Sequence, residues 1–163
     1  MTLKTLIPAL IVCLAFSNCF NNRGNSNIEP IVNLPAIANK SIEEVNAVLG
    51  KPDTIIKTDV ITKVNPVGTP NEKVDCEQVF YQNKKIEVIF INKLSDWITI
   101  NHVTGLPMSE YMITALGLPQ TDPRIFDLTA YVTWEEVKGF QNIAFFSKDS
   151  STVDNIYIRV NTK

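Results

Sequence analysis

Hydrophobic positions recur with helical spacing in one short segment that follows Ser41. Four apolar residues fall on one face of that segment: Ile42, Val45, Val48 and Leu49. Ser41 with Glu44 three residues later is the pattern of a capping box, while Gly50 is a typical helix stop and Pro52 prevents continuation. A helix this short is stable only when it packs on another element, so the segment predicts a helix that covers a sheet.

Strand-like alternation takes over after this helix. The runs at residues 54–64, 76–82, 85–92 and 96–101 are rich in β-branched and aromatic residues. Asn83 and Lys84 lie between the second and third runs, which predicts a hairpin there. The polar, Pro-containing stretch at residues 65–75 is predicted to be a loop, either a recognition loop or a mobile connection.

The same order of elements begins again at Ser109. Met112, Ile113 and Leu116 give this second segment an apolar side. Gly117 and Pro119 follow it at the spacing of Gly50 and Pro52, and three more strand-like runs come at residues 129–136, 140–148 and 155–161. We therefore predict an α+β fold of two tandem α-β-β-β units, 41–105 and 106–163, with short helices packed on an antiparallel sheet. The alternative is coincidence, because Gly-x-Pro is a common helix stop.

The N-terminus has the layout of a secretory signal peptide over residues 1–18. Lys4 precedes an apolar run at residues 6–16, which is shorter than the roughly 18 residues that a membrane-spanning helix needs. An uncleaved anchor is the alternative. Cys19 follows the run directly, and the segment resembles the lipobox of bacterial lipoproteins, in which that cysteine is acylated. Cleavage after Ser17, or a disulfide from Cys19 to Cys76, are the competing interpretations.

The predicted organisation is thus a signal peptide, a tethered anchor and one folded domain. Residues 19–40 contain the lipidated cysteine and a flexible tether with Pro30 and Pro35, and residues 41–163 form the domain. The 163-residue chain has 45% hydrophobic and 20% charged residues, which is typical of a folded domain. Its net charge of -2, with no basic stripe, argues against nucleic acid as a partner.

Catalytic and metal-binding patterns are weak in this sequence. His102 is the only histidine, and no partner stands at zinc-ligand spacing. A nucleophilic pair of Cys76 and His102 is conceivable, but no residue pattern orders it. Phosphate-binding and dinucleotide-binding motifs are missing from the sequence. We therefore predict a protein without enzymatic activity, cofactor or metal.

Aromatic residues near strand ends are the candidates for partner binding: Trp97, Trp134, Tyr81 and Tyr131. Such side chains on a sheet face make good contact anchors, although the alternative, burial in the core of a two-sided sheet, is the favoured interpretation. A sheet covered by helices on one side leaves its other face for a partner.

The segment "SIEEVNAVLGKP", followed by "VFYQNKKIEVIF" and "WITI", resembles the SmpA/OmlA (BamE-like) small lipoproteins. It is also similar to the tandem-repeat β-lactamase inhibitory protein. The first resemblance implies a lipoprotein that binds or scaffolds other proteins in the cell envelope, anchored to a membrane through Cys19. The second implies a secreted or periplasmic inhibitor or immunity-type protein that binds an enzyme.

Overall fold

The computed structural model describes residue 28 and residues 30–64, 70–127 and 130–160. The helical elements within these ranges are α1 (Leu34–Ile37), α2 (Ile42–Leu49) and a 3-10 helix (Met112–Leu116). The strands are β1 (Thr54–Val64), β2 (Pro70–Tyr81), β3 (Ile86–Ile91), β4 (Leu94–Ile100), β5 (Ile125–Asp127), β6 (Tyr131–Val137), β7 (Phe140–Ser147) and β8 (Val153–Val160).

The eight strands of the described ranges form one sheet in the order β1-β2-β3-β4-β8-β7-β6-β5, and every neighbouring pair is antiparallel. Each half of the chain contributes a four-stranded meander, and the two meanders meet where β4 pairs with β8. Two-residue turns with positive φ join β3 to β4 at Asn92 and Lys93, and β6 to β7 at Lys138 and Gly139. That turn geometry matches the twist of antiparallel strands.

The predicted α+β fold of two tandem α-β-β-β units is wrong, because the chain is mainly β. In the described ranges, the α-helices contain only four and eight residues, and both strand groups contain four strands rather than three. The helix predicted from Ser109 is reduced to a five-residue 3-10 helix that ends at Gly117 with φ 71°. Its sequence lacks a capping box and includes two β-branched residues, Ile113 and Thr114, so it has little intrinsic helical stability.

Several local predictions are confirmed by the structure. Ser41 caps α2, since its side chain accepts from the Glu44 N–H while the Glu44 carboxylate accepts from the Ser41 N–H. Strand β1 spans the predicted run, and the hairpin turn between β2 and β3 contains Asn83 and Lys84. The predicted 65–75 loop is largely replaced by strand, because β2 begins at Pro70; residues 65–69 lie outside the described residues.

The helical layer packs on one face of the sheet and includes a segment that the sequence predicted to be tether. Leu34 and Ile37 of α1 are 0% exposed and belong to the same core cluster as Val45 of α2. Buried Ser95 of β4 holds this segment: its hydroxyl donates to the Ile37 carbonyl at 2.5 Å and accepts from the Lys40 N–H at 3.0 Å. The predicted tether therefore does not extend to residue 40, and Cys19 lies outside the described residues.

Candidate functional site

The face of the sheet opposite the helical layer is the candidate binding surface. Ile98 of β4 and Ile158 of β8 belong to the core cluster, so strand alternation places their neighbours on the opposite face. We call this side the open face, because the three helical elements in the described ranges contribute their buried residues to the core cluster on the other side. The residues that define its centre are Trp97, Thr99, Asn142, Tyr157 and Arg159.

A shallow cavity of about 230 Å³ lies at the junction of the two meanders, between these central residues. Arg159 is directly opposite Trp97 in the β4–β8 register, and its guanidinium carbon lies 4.6 Å from the Trp97 ring centroid. This is a cation–π contact, which fixes both side chains in one place on the sheet. On the other side, Arg159 pairs with Asn142 of β7. The cavity therefore combines an aromatic surface, a cation and an amide.

A row of three aromatic rings continues the surface towards β6. Tyr131 stacks on Phe146 with ring centroids 5.9 Å apart, and Phe146 meets Tyr157 edge-on at 5.3 Å. Phe146 is 38% exposed and Tyr157 is 48% exposed, so much of this apolar area contacts water. Mutual packing holds the rings in defined positions, which lowers the entropic cost of ordering them when a partner binds.

The four aromatic residues predicted from the sequence are divided between the two faces. Trp97 and Tyr131 lie on the open face, half-buried. Tyr81 and Trp134 are 0% and 1% exposed in the core, so they are not available to a partner. The Tyr81 hydroxyl donates to Oδ1 of Asn46 at 2.9 Å and thereby links β2 to α2.

Burial also raises the pKa of Tyr81 from 10.0 to about 12. The unfolded chain ionises this phenol near pH 10 while the folded chain keeps it neutral, so the contribution of Tyr81 to stability is complete below pH 10 and is lost as pH rises towards about 12. We expect Tyr81→Phe to flatten this part of the stability profile, which falls by at most about 1.4 kcal/mol per pH unit for one group. Urea unfolding at several alkaline pH values measures the slope, and Tyr157→Phe, which removes an exposed hydroxyl, is the control. An unchanged slope in Tyr81→Phe would contradict the assignment.

The residues missed by the sequence prediction are Phe146, Tyr157 and Arg159. The last two alternate with Ile156, Ile158 and Val160 of β8, so the clean alternation of that strand already marks them as facing away from the core. Phe146 is harder to assign, because β7 changes register against β8 between Phe140 and Asn142. Residues that alternate with the apolar positions of a strand could therefore be predicted to lie on the open face, whereas aromatic identity alone could not show this.

Cys76 lines a second, larger cavity of about 910 Å³ between the start of α2 and the β1–β2 hairpin. Its side chain is only 6% exposed. Burial, with further contributions from Asp59 and Asp75, raises the pKa of the thiol. These conditions oppose formation of the thiolate that a cysteine nucleophile requires. His102 is exposed and directly follows Asn101, at the end of β4.

Comparison with known proteins provides no further assignment. No protein-family model, curated protein or solved structure matches the chain. Within the residues that the structure describes, no group of three or more His, Cys, Asp or Glu side chains is placed to hold a metal. A search of the same ranges finds no helix with the length and apolar character needed to span a membrane.

Proposed function

We propose that this chain is an exported bacterial lipoprotein, anchored to a membrane through Cys19, that binds another protein of the cell envelope without catalysing a reaction. The observation that carries the binding proposal is the aromatic surface of the open face, from Trp97 and Arg159 to Tyr157 and Phe146. The export and lipidation proposals rest on the N-terminal sequence, which resembles a signal peptide with a lipobox.

The composition of the open face suits a protein partner. Tyr, Trp and Arg are the residue types enriched at the energetically important positions of protein interfaces. Here they come from neighbouring strands of a paired sheet, so the backbone beneath them is rigid. Among the described residues, no ion pair engages Arg159, which leaves its charge for a carboxylate or carbonyl of the partner.

The mass of the mature N-terminal peptide, measured from the membrane fraction, tests the anchor. We expect a chain that begins at Cys19 and carries acyl groups. Cys19→Ala is then expected to release the protein from the membrane and to remove most of the membrane proteins that co-purify with it. Cys76→Ser is the matched control, because it removes the other cysteine of the proposed mature chain. A chain that begins at Asn18 with an unmodified Cys19 would rule out the lipid anchor.

One feature favours the alternative of an inhibitor or immunity-type protein. Strand β3 pairs only with the Cys76–Tyr81 part of β2, whereas β1 continues along β2 to Pro70. The far end of the β1–β2 hairpin is thus a two-stranded ribbon that extends past the rest of the sheet. A ribbon of this kind suits insertion into an enzyme cleft. A soluble chain that inhibits an enzyme, and loses that inhibition when residues 62–72 are replaced by a short turn, would favour this alternative over the scaffold.

A further inference from the structure

Among the strands of the described residues, β1 lies at the edge of the sheet, with a neighbour on one side only. It is unusually long for an edge, and Ile55 and Ile56 are 50% and 43% exposed on its two faces. An edge strand of this length presents unpaired backbone N–H and C=O groups along its outer side to any strand that can align with it. The charged residues of β1 determine which strand can pair with it without placing like charges opposite each other.

The sequence of β1 is complementary to itself when two copies run antiparallel about Thr58. In that register Lys57 of one copy is opposite Asp59 of the other, and the reverse pair forms at the same time. Moving outwards from Thr58, position 56 is opposite position 60 and position 55 is opposite position 61, and all four are Ile or Val in the sequence. A lysine on an edge strand usually opposes pairing, but here Lys57 of each copy is opposite Asp59 of the other.

A second observation comes from the other side of β1. Asp59 is directly opposite Asp75 of β2, and both residues are exposed. In the register about Thr58, Lys57 of the second copy adds a positive charge next to this acidic pair. On the same row, Lys57 is opposite Glu77 in its own chain. Across the joined edges, Glu77 and Lys57 of one copy would thus be followed by Asp59 and Asp75 of the second copy.

We propose that β1 is the site at which two copies of this chain associate, edge to edge, about a two-fold axis at Thr58. The two sheets become one continuous antiparallel sheet, and the two-fold axis keeps both helical layers on the same side. Both open faces then lie side by side on the opposite side, and the dimer displays them together. The proposal does not depend on the identity of the partner of the open face.

Charge reversal at two positions tests the register. We expect the full chain to dimerise in sedimentation equilibrium in a neutrally buoyant detergent. Lys57→Asp places two pairs of aspartates opposite each other and Asp59→Lys places two pairs of lysines opposite each other, so each should raise the Kd roughly ten-fold or more. Mixing the two variants in equal amounts restores both attractive pairs and should restore a dimer that contains one chain of each. Lys148→Asp, at the β7–β8 turn, makes the same change in net charge as Lys57→Asp and should leave the Kd unchanged.

A cysteine at the axis tests the geometry in a Cys76→Ser background, which is needed because Thr58 is directly opposite Cys76 within the chain. Thr58→Cys should form an intermolecular disulfide, since opposite residues of paired strands have Cα atoms about 5 Å apart. Thr54→Cys should not, because the two copies of that position would be about 26 Å apart. The proposal would be overturned if the wild type were monomeric. It would also be overturned if both charge variants dimerised with the Kd of the wild type, or if a dimer formed without a Thr58→Cys cross-link.

Discussion

Replacing Trp134 by alanine is expected to lower the free energy of unfolding by about 3 to 5 kcal/mol, the usual cost of deleting a large aromatic side chain from a core. Trp134 is 1% exposed and packs edge-on against Phe145 with ring centroids 5.4 Å apart. Its indole N–H also donates to the Thr121 carbonyl at 2.8 Å, which ties the segment before β5 to the sheet. Alanine would leave a cavity and an acceptor without its donor.

The matched variant is Trp97→Ala, which removes the same side chain from the open face. Trp97 is half-buried and makes a cation–π contact with Arg159, so we expect a loss of about 1 kcal/mol. Its indole N–H is buried without a hydrogen-bond partner among the described residues, so no hydrogen bond is lost with it. Urea unfolding followed by circular dichroism measures both variants. Equal losses would mean that the two tryptophans do not differ in burial as the structure places them.

The two tryptophans show how far the sequence predicts the candidate site. Both stand in strand-like runs near turns, and aromatic identity does not distinguish them. What separates them is the parity of each position within its strand: Trp97 neighbours core residue Ile98, while Trp134 lies two residues from core residue Val132. The sequence predicts which face each residue of β8 lies on, because alternation is regular in that strand. It does not do so for β4, which changes register against β3 between Ile89 and Phe90.

The prediction of the fold class was wrong for a different physical reason. The local sequence predicts α2 correctly, because a capping box, an apolar stripe and a glycine stop all indicate the same helix. The sequence does not show that eight strands join into a single sheet, because β4 and β8 pair across more than fifty intervening residues. Nor does it reveal α1, in which Pro35 occupies the first turn rather than breaking a helix. The burial of this segment against β4 depends on Ser95, a small polar residue without a distinctive sequence pattern.

The open face leads to the second large expected effect. Tyr157→Ala should reduce the amount of partner recovered with the membrane-anchored chain about ten-fold or more, because an aromatic residue at the centre of an interface commonly contributes that much to affinity. Tyr157 suits this role: it is 48% exposed, contacts Phe146, and borders the cavity that contains Arg159. The relevant partner is the protein that is recovered with the wild type and lost with Cys19→Ala, quantified by mass spectrometry.

Tyr111→Ala is the control for this experiment, because it removes another exposed tyrosine, 36% exposed, next to the 3-10 helix in the helical layer. Tyr157→Ala removes the edge-on contact with Phe146, so we expect it to lower the free energy of unfolding by about 1 kcal/mol, which leaves the chain folded. Tyr111→Ala should lower it by less. Loss of the partner in Tyr157→Ala alone would locate binding on the open face. Loss in Tyr111→Ala alone would place it on the helical layer instead, and the rigid aromatic row between β6 and β8 would then have a structural role only. A single partner surface can cover only one face of the sheet, so the two variants together show whether the partner binds the open face or the helical layer.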